Sequence, residues 1–258
     1  MNDIKSTIID AHAHCGIIDR YPPQRFEDYV AQVKSSPIEG VVMFSPVAEI
    51  YDRDDPNFED NLHWQNQREA SNQYLLSLHD RGELEVIPYF FIWNDFALDQ
   101  LTQKHRGIKW HRHADEPAYN YDDPACHAAI NEIRRRNMPV VLEEELQHTI
   151  RFINELANGV RVIIPHLGFL NGGYRSIEKS GLWENPRVYT DTSLAAPETI
   201  LAYVNTYGHE RIMFGSDFPF GHPPAELQKI HSLGFSQDVE KAITGENLKM
   251  LLQDSNRA

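Results

Sequence analysis

The feature that most constrains this chain is its rhythm. Short apolar runs of three to seven residues alternate with stretches of helical spacing from one end of the sequence to the other. The runs fall at 7–11, 40–44, 86–92, 107–110, 139–143, 160–164, 188–190 and 211–214. Between and after them, helical patterns are expected over 26–35, 62–80, 97–105, 124–136, 149–157, 175–180 and 197–207. A last stretch from 224 to about 253 reads as helix broken at Gly234 and Gly245. Strict β/α alternation demands a mostly parallel sheet covered by helices. Eight such units fit a (β/α)8 TIM barrel within a single domain of 258 residues. The alternative, an open doubly wound sheet, wants a glycine-rich phosphate turn after the first strand. That position holds His12-Ala13-His14 instead.

Local signals agree with the rhythm. Pro22-Pro23 marks a turn before the first helix, and Arg81-Gly82 a cation and a stop after the second. Asp123-Pro124 caps the fourth expected helix, with Cys126, Ala129, Ile130 and Ile133 on one face. Its closing run Arg134-Arg135-Arg136 reads better as cations at a helix C-terminus than as an anion site.

A barrel of this kind does its chemistry at the C-terminal ends of its strands. Those ends carry His12 and His14, then Lys109 and His111, then Glu143-Glu144-Glu145, then His166, then Asp217. Metal-ligand residue types thus recur at one end of five strands. Strand periodicity puts Asp10, His12 and His14 on one face, and two imidazoles there are a ready pair of ligands for a divalent metal. Glu143 and Glu145 share a parity; Glu144 has the other and is expected to be solvated or paired. Asp10 is expected either to orient His12 or His14 or to serve as a buried structural acceptor. His111 and His113 begin a loop, where a plain surface histidine and a substrate contact are both open for each. Cys15, beside the motif, lacks an activating partner. Trp93 and Trp110 are expected to pack.

Composition sets the outer bounds. A formal charge of −14 argues against a nucleic-acid backbone or an anionic membrane surface as main partner. No apolar run approaches a membrane span, and no signal pattern opens the chain, so a cytoplasmic setting is expected. Two distant cysteines imply no disulfide framework.

The sequence resembles the amidohydrolase superfamily, in its amidohydrolase-related branch of metal-dependent hydrolases and decarboxylases. The resemblance rests on Ile9-Asp10-Ala11-His12-Ala13-His14, Gly107-Ile108-Lys109-Trp110-His111, Ile164-Pro165-His166-Leu167-Gly168, Val188-Tyr189-Thr190-Asp191-Thr192-Ser193 and Gly215-Ser216-Asp217-Phe218-Pro219. It implies His12, His14 and Asp217 as ligands of a divalent metal ion, zinc or manganese. It implies Asp217 as the group that handles a proton, and His166 as a further ligand or a polariser of substrate. A bound divalent ion lowers the pKa of water toward neutrality, and an adjacent carboxylate can take the proton and return it. One departure stands out: the family places histidine at the end of the fifth strand, where this chain has Glu143. Glutamate is a competent ligand, and it would make the site harder. Lys109 is expected to neutralise the site's acids or contact a substrate carboxylate, and His111 to contact substrate. The implied reaction is hydrolysis of an amide, lactone or ester. The alternatives are a non-oxidative decarboxylase of the same branch, a metal-free lactonase and a non-catalytic barrel. The expected partner is a small molecule bearing a carboxylate or carbonyl, and a homo-oligomer stays open.

Overall fold

The computed structural model describes residues 7–17, 24–55, 57–79, 81–82 and 84–253. The Pro22-Pro23 turn and Asp80, the expected end of the second helix, lie outside them. Eight parallel strands pair in sequence order. They are β1 (Ile8–His14), β2 (Ile38–Phe44), β3 (Glu85–Phe91), β4 (Gly107–His111), β5 (Val140–Glu143), β6 (Val162–Ile164), β7 (Val188–Asp191) and β8 (Ile212–Met213). Backbone hydrogen bonds close the ring between β1 and the segment at and beyond β8. Ala11 N donates to Phe214 O at 2.8 Å, Asp217 N to His12 O at 2.7 Å and His14 N to Phe218 O at 2.7 Å. The near-closed barrel is the TIM-barrel-like architecture that the alternation predicts.

The helices are α1 (Phe26–Val33), α2 (Leu62–Leu78), α3 (Pro124–Arg135), α4 (Leu146–Arg151, continued by a π turn Phe152–Leu156), α5 (Tyr174–Lys179), α6 (Pro197–Tyr207), α7 (Pro223–Ser232), α8 (Gln237–Lys241) and α9 (Asn247–Gln253). Local chemistry sets their ends. Asn61 Oδ1 accepts from His63 N and Trp64 N at the start of α2. Asp123 caps α3 with Pro124 following, and Cys126, Ala129, Ile130 and Ile133 form the buried face. The arginines that end α3 bind Glu132 and loop carbonyls, away from the mouth of the barrel.

The expected helix over 97–105 does not form. A 3-10 turn, Leu98–Gln100, takes its place, and the backbone then extends at Leu101. Side chains claim the backbone groups a helix would need. Arg136 Nη1 donates to Leu101 O at 2.8 Å, and His105 Nδ1 accepts from Thr102 N at 3.1 Å. Phe96, at φ 43°, has already turned the chain.

Two apolar layers hold the molecule. The outer one lies between strands and helices and contains Trp93 and Trp110, both packed as expected. The inner one fills the barrel with Ile9, Ala11, Val42, Ile87, Val141, Ile163 and Met213. Leu248, Leu251 and Leu252 of α9 join that inner layer and plug the N-terminal end. Arg161 Nη1 and Arg106 Nη2 fix the plug by donating to Leu251 O at 2.6 Å and Leu252 O at 3.1 Å. Gly107 leaves room in the barrel for the Tyr89 ring, which a Cβ there would overlap. With the N-terminal end filled by apolar side chains, the polar inward positions are confined to the C-terminal mouth. Among the described residues no helix is long and apolar enough to cross a membrane.

Candidate metal centre

The site begins with an irregularity in β1. Asp10 pairs with Val41 and Ala13 with Met43, so β1 carries one residue more than its partner over that interval. Such a bulge shifts side-chain parity. Ile9 and Ala11 face the barrel before it, and His12 and His14 face the barrel after it. Asp10 therefore does not share the face of the histidines, contrary to the period-2 expectation. It is buried as a structural acceptor instead. Its Oδ1 accepts from His12 N at 3.1 Å and Ser216 N at 2.9 Å, and its Oδ2 from Tyr29 OH at 2.9 Å. Those bonds tie β1 to α1 and to the loop after β8, the loop that carries Asp217.

His12 and His14 converge on one oxygen. Asp217 Oδ1 lies 3.4 Å from His12 Nε2 and 3.2 Å from His14 Nε2. Each imidazole is held from behind through its other nitrogen. His12 Nδ1 donates to Asp191 Oδ2 at 2.8 Å, and His14 Nδ1 faces Ser45 O at 3.5 Å. Because a carboxylate or carbonyl can only accept, the proton sits on Nδ1 and each Nε2 presents a lone pair to the site. Burial, reinforced by the nearby Lys109 ammonium, lowers the His12 pKa to about 4, so this imidazole is neutral near pH 7. Burial alone would raise the Asp217 pKa, but its contacts with His14 and the other imidazoles lower it, and the group is ionised.

Asp191, at the end of β7, is the residue that sequence reasoning passed over. Its Oδ2 holds His12. Its Oδ1 accepts from His166 N and Ser193 N, both at 3.1 Å, and from the Ser193 hydroxyl. Ser193 Oγ in turn accepts from His166 Nδ1 at 2.8 Å. One buried carboxylate thus orients residues from β1, β6 and β7. The signal was available: Asp191 ends its strand as the other polar residues end theirs. Burial would depress the His166 pKa, but the bond to Glu143 and the charges of Asp217 and Asp191 outweigh it and set it at about 9. Two of these residues also hold an unusual backbone, with φ 56° at His166 and φ 55° at Asp217. For non-glycine residues such conformations cost about 1–3 kcal/mol each and cluster where a side chain must be aimed.

Glu143 is a hub. Its Oε1 lies 2.9 Å from His111 Nε2 and 2.8 Å from His113 Nε2; its Oε2 lies 3.1 Å from Lys109 Nζ and 3.6 Å from His166 Nε2. Burial would push its pKa up, but His111, Lys109 and His113 hold it well below the usual carboxylate range. Lys109 is fully buried and lies 3.4 Å from His12 Nε2, so it neutralises Glu143 from inside the donor set. Burial lowers the His111 pKa to about 4 despite Glu143. His113 is raised to about 9: burial opposes the charge, but bonds to Glu116 and Glu143 prevail. The other two glutamates leave the site. Glu144 is buried against Arg112 at 2.7 Å and Tyr121, and half-exposed Glu145 pairs with His148 at 3.0 Å. Cys15 is buried, and desolvation pushes its thiol pKa up, so it is no nucleophile.

The donor set fits a divalent ion. His12, His14 and Asp217 place their ligand atoms within 4.8 Å of one another, and so do His12, Glu143 and His166. Two ligands at about 2.1 Å from a tetrahedral ion stand about 3.4 Å apart. The separations of 3.4 and 3.2 Å at Asp217 are close to that edge. The trio opens into a cleft of about 530 Å³ lined by His14, His111, His113, Glu143, His166 and Asp217, with apolar residues at its mouth. Lys109 and His12 lie beneath that lining.

Comparison with known proteins bears on the fold and the family. The fold matches a dihydroxybenzoic acid decarboxylase from Polaromonas with bound manganese and 2-nitroresorcinol, at TM-score 0.75 and 13% identity over 98% of both chains. It matches a 2,6-dihydroxybenzoate decarboxylase complexed with 2,6-dihydroxybenzoate at TM-score 0.72 and 12% identity, over 96% of this chain and 99% of that one. It also matches a putative 2-pyrone-4,6-dicarboxylic acid hydrolase from Pseudomonas putida at TM-score 0.69 and 18% identity, over 96% and 98%. No curated protein matches by sequence. The amidohydrolase family model Amidohydro_2 covers residues 9–249, from the first inward residues of β1 to the plug helix α9. With that match and a donor set drawn from the C-terminal ends of its strands, the chain belongs to the amidohydrolase family.

Proposed function

We propose that the chain is a metal-dependent hydrolase acting on an amide, lactone or ester of a small molecule. The observation that carries this reading is the convergence of His12 and His14 on a single oxygen of Asp217 at the floor of an open cleft. His12, His14 and Asp217 would hold the ion, zinc or manganese, with Glu143 at its edge as ligand or direct neighbour. A divalent ion there supplies Lewis-acid polarisation and acidifies water. The ionised Asp217 takes the proton of the attacking water and passes it to the leaving group. His166, cationic and aimed by Ser193, donates to the oxygen that gains charge as water adds to the carbonyl. Lys109 keeps Glu143 ionised, and His111, at the cleft wall, contacts substrate. Two free, buried cysteines support a reducing, cytoplasmic setting.

The second reading is decarboxylation. It is favoured by the cations at the cleft floor, His166 and His113, which suit a substrate carboxylate. There Asp217 would first take a proton from water and then deliver it to the carbon that carbon dioxide leaves. Turnover in H₂¹⁸O and in D₂O separates the two. Hydrolysis places ¹⁸O in the acid product. Carbon dioxide release with deuterium on carbon, and no ¹⁸O in a new acid, would overturn the hydrolase reading in favour of the lyase.

A further inference from the structure

Among the described residues six large apolar side chains stand exposed: Ile17, Leu62, Phe169, Leu194, Phe220 and Met250. Three of them, Phe169, Leu194 and Phe220, gather at the mouth of the one cleft described above. Their exposures are 69%, 43% and 57%. They come from three successive loops, after β6, β7 and β8. Folding gains nothing from leaving them in water, and isolated exposed apolar residues need no account, but a cluster rimming a polar pocket marks a ligand surface. Leu194 holds φ 55°, a backbone that leucine rarely adopts, where glycine would sit without strain. Phe220 leans over His14, with ring centroids 6.1 Å apart and planes at 85°. The apolar rim therefore begins one ring away from the proposed metal ligands. Across the cleft, Pro46, Val47 and Ala48 present a second apolar wall from the loop after β2.

We propose that this rim is a binding subsite for an apolar part of the substrate. The ligand class is a molecule whose reacting carbonyl or carboxylate carries an alkyl chain running outward from the metal centre. Its charged or carbonyl end meets the histidines and Asp217 on the floor, and its carbon skeleton covers Phe169, Leu194 and Phe220. A purely polar substrate would leave that surface wet. The placement of the reacting end rests on the hydrolase reading above; the apolar contact does not depend on which reaction follows.

The test is a calorimetric titration of acetate, butanoate, hexanoate and octanoate into the wild type and into the double variant Phe169→Ala/Phe220→Ala, each metal-loaded and metal-stripped. Burying each methylene against the rim predicts affinity rising by up to about fourfold per carbon in the wild type. The double variant should show a clearly shallower rise. Both replaced side chains are exposed, so an unchanged melting temperature will certify its fold. No rise along the series in the wild type, or the same rise in the double variant, overturns the proposal. A flat series with a wild-type dimer that the double variant loses in sedimentation velocity assigns the rim to a second copy of the chain and also overturns it. Failure of the hydrolase reading is seen separately, in the isotope experiment, because binding is read here without turnover.

Discussion

Asp191→Asn isolates the residue on which the proposed centre depends most. The substitution keeps shape and removes charge, but the surroundings dictate how the amide sits. Three donors meet Asp191 Oδ1: His166 N, Ser193 N and the Ser193 hydroxyl. The amide oxygen must therefore take that side, leaving its NH₂ against His12 Nδ1, where the carboxylate now accepts at 2.8 Å. To avoid facing N–H with N–H, His12 must carry its proton on Nε2, the atom turned toward Asp217 and His14. In that tautomer it cannot ligate. Loss of such a supporting acceptor lowers metal affinity about 10- to 100-fold, which is about 1.4–2.7 kcal/mol. Chelator competition with zinc or manganese reads that change, and a thermal melt checks that the variant is folded. A folded Asp191→Asn protein with wild-type metal affinity would refute the reasoning that Asp191 fixes the His12 tautomer.

Three further outcomes follow from the same geometry. Asp217→Asn, whose side chain tolerates the positive φ, should fold normally and lower turnover of whichever ester, lactone or amide the wild type hydrolyses by about 10²–10⁴-fold; turnover within tenfold of wild type would remove Asp217 from proton transfer. Arg68, buried in α2, binds Asp60, Asp95 and Ile50 O and so pins the loops after β2 and β3; Arg68→Met should cost about 3–5 kcal/mol in denaturant unfolding, and a loss under 1 kcal/mol would contradict it. His105 is held at about 4, below the ordinary 6.5, by burial and then by Arg136. On acidification the unfolded chain protonates first, so this group's contribution is intact above about 6.5 and is lost as pH falls toward 4. Over that window the wild type should lose about 2–3 kcal/mol more than His105→Asn in urea melts; parallel pH profiles would refute the assignment.

Most of the scaffold was legible because the barrel is written in a local code. Buried parallel strands are apolar runs, and the elements between them begin and end on proline, asparagine, aspartate and glycine. That code placed the strand ends, and with them His12, His14, Lys109, Glu143, His166 and Asp217, near one mouth. Three features escaped it, each for a long-range reason. The helix over 97–105 has adequate spacing, but Arg136, just past α3, and the loop's own His105 take its backbone groups. The bulge in β1 is a matter of register against β2, so no periodicity within the strand could put Asp10 outside the barrel while leaving both histidines inside. Asp191 was quoted without a role and His113 weighed only as a surface or substrate-contact histidine, because their importance lies in partners far away in sequence: His12 and His166 for one, Glu143 for the other. Glu143 itself was singled out as a departure, but its four-way contact with Lys109, His111, His113 and His166 is a property of the assembled mouth.

The central claim is that this mouth holds a catalytic divalent ion. Elemental analysis of the purified protein after dialysis against zinc or manganese tests it most directly, with His14→Ala and Glu143→Ala alongside. The account predicts about one equivalent retained by the wild type, lost from His14→Ala and reduced in Glu143→Ala, because the first removes a convergent ligand and the second a carboxylate at the ion's edge. A folded wild-type protein that keeps no metal from either solution would contradict it, and would move a metal-free lactonase or a non-catalytic barrel to the front.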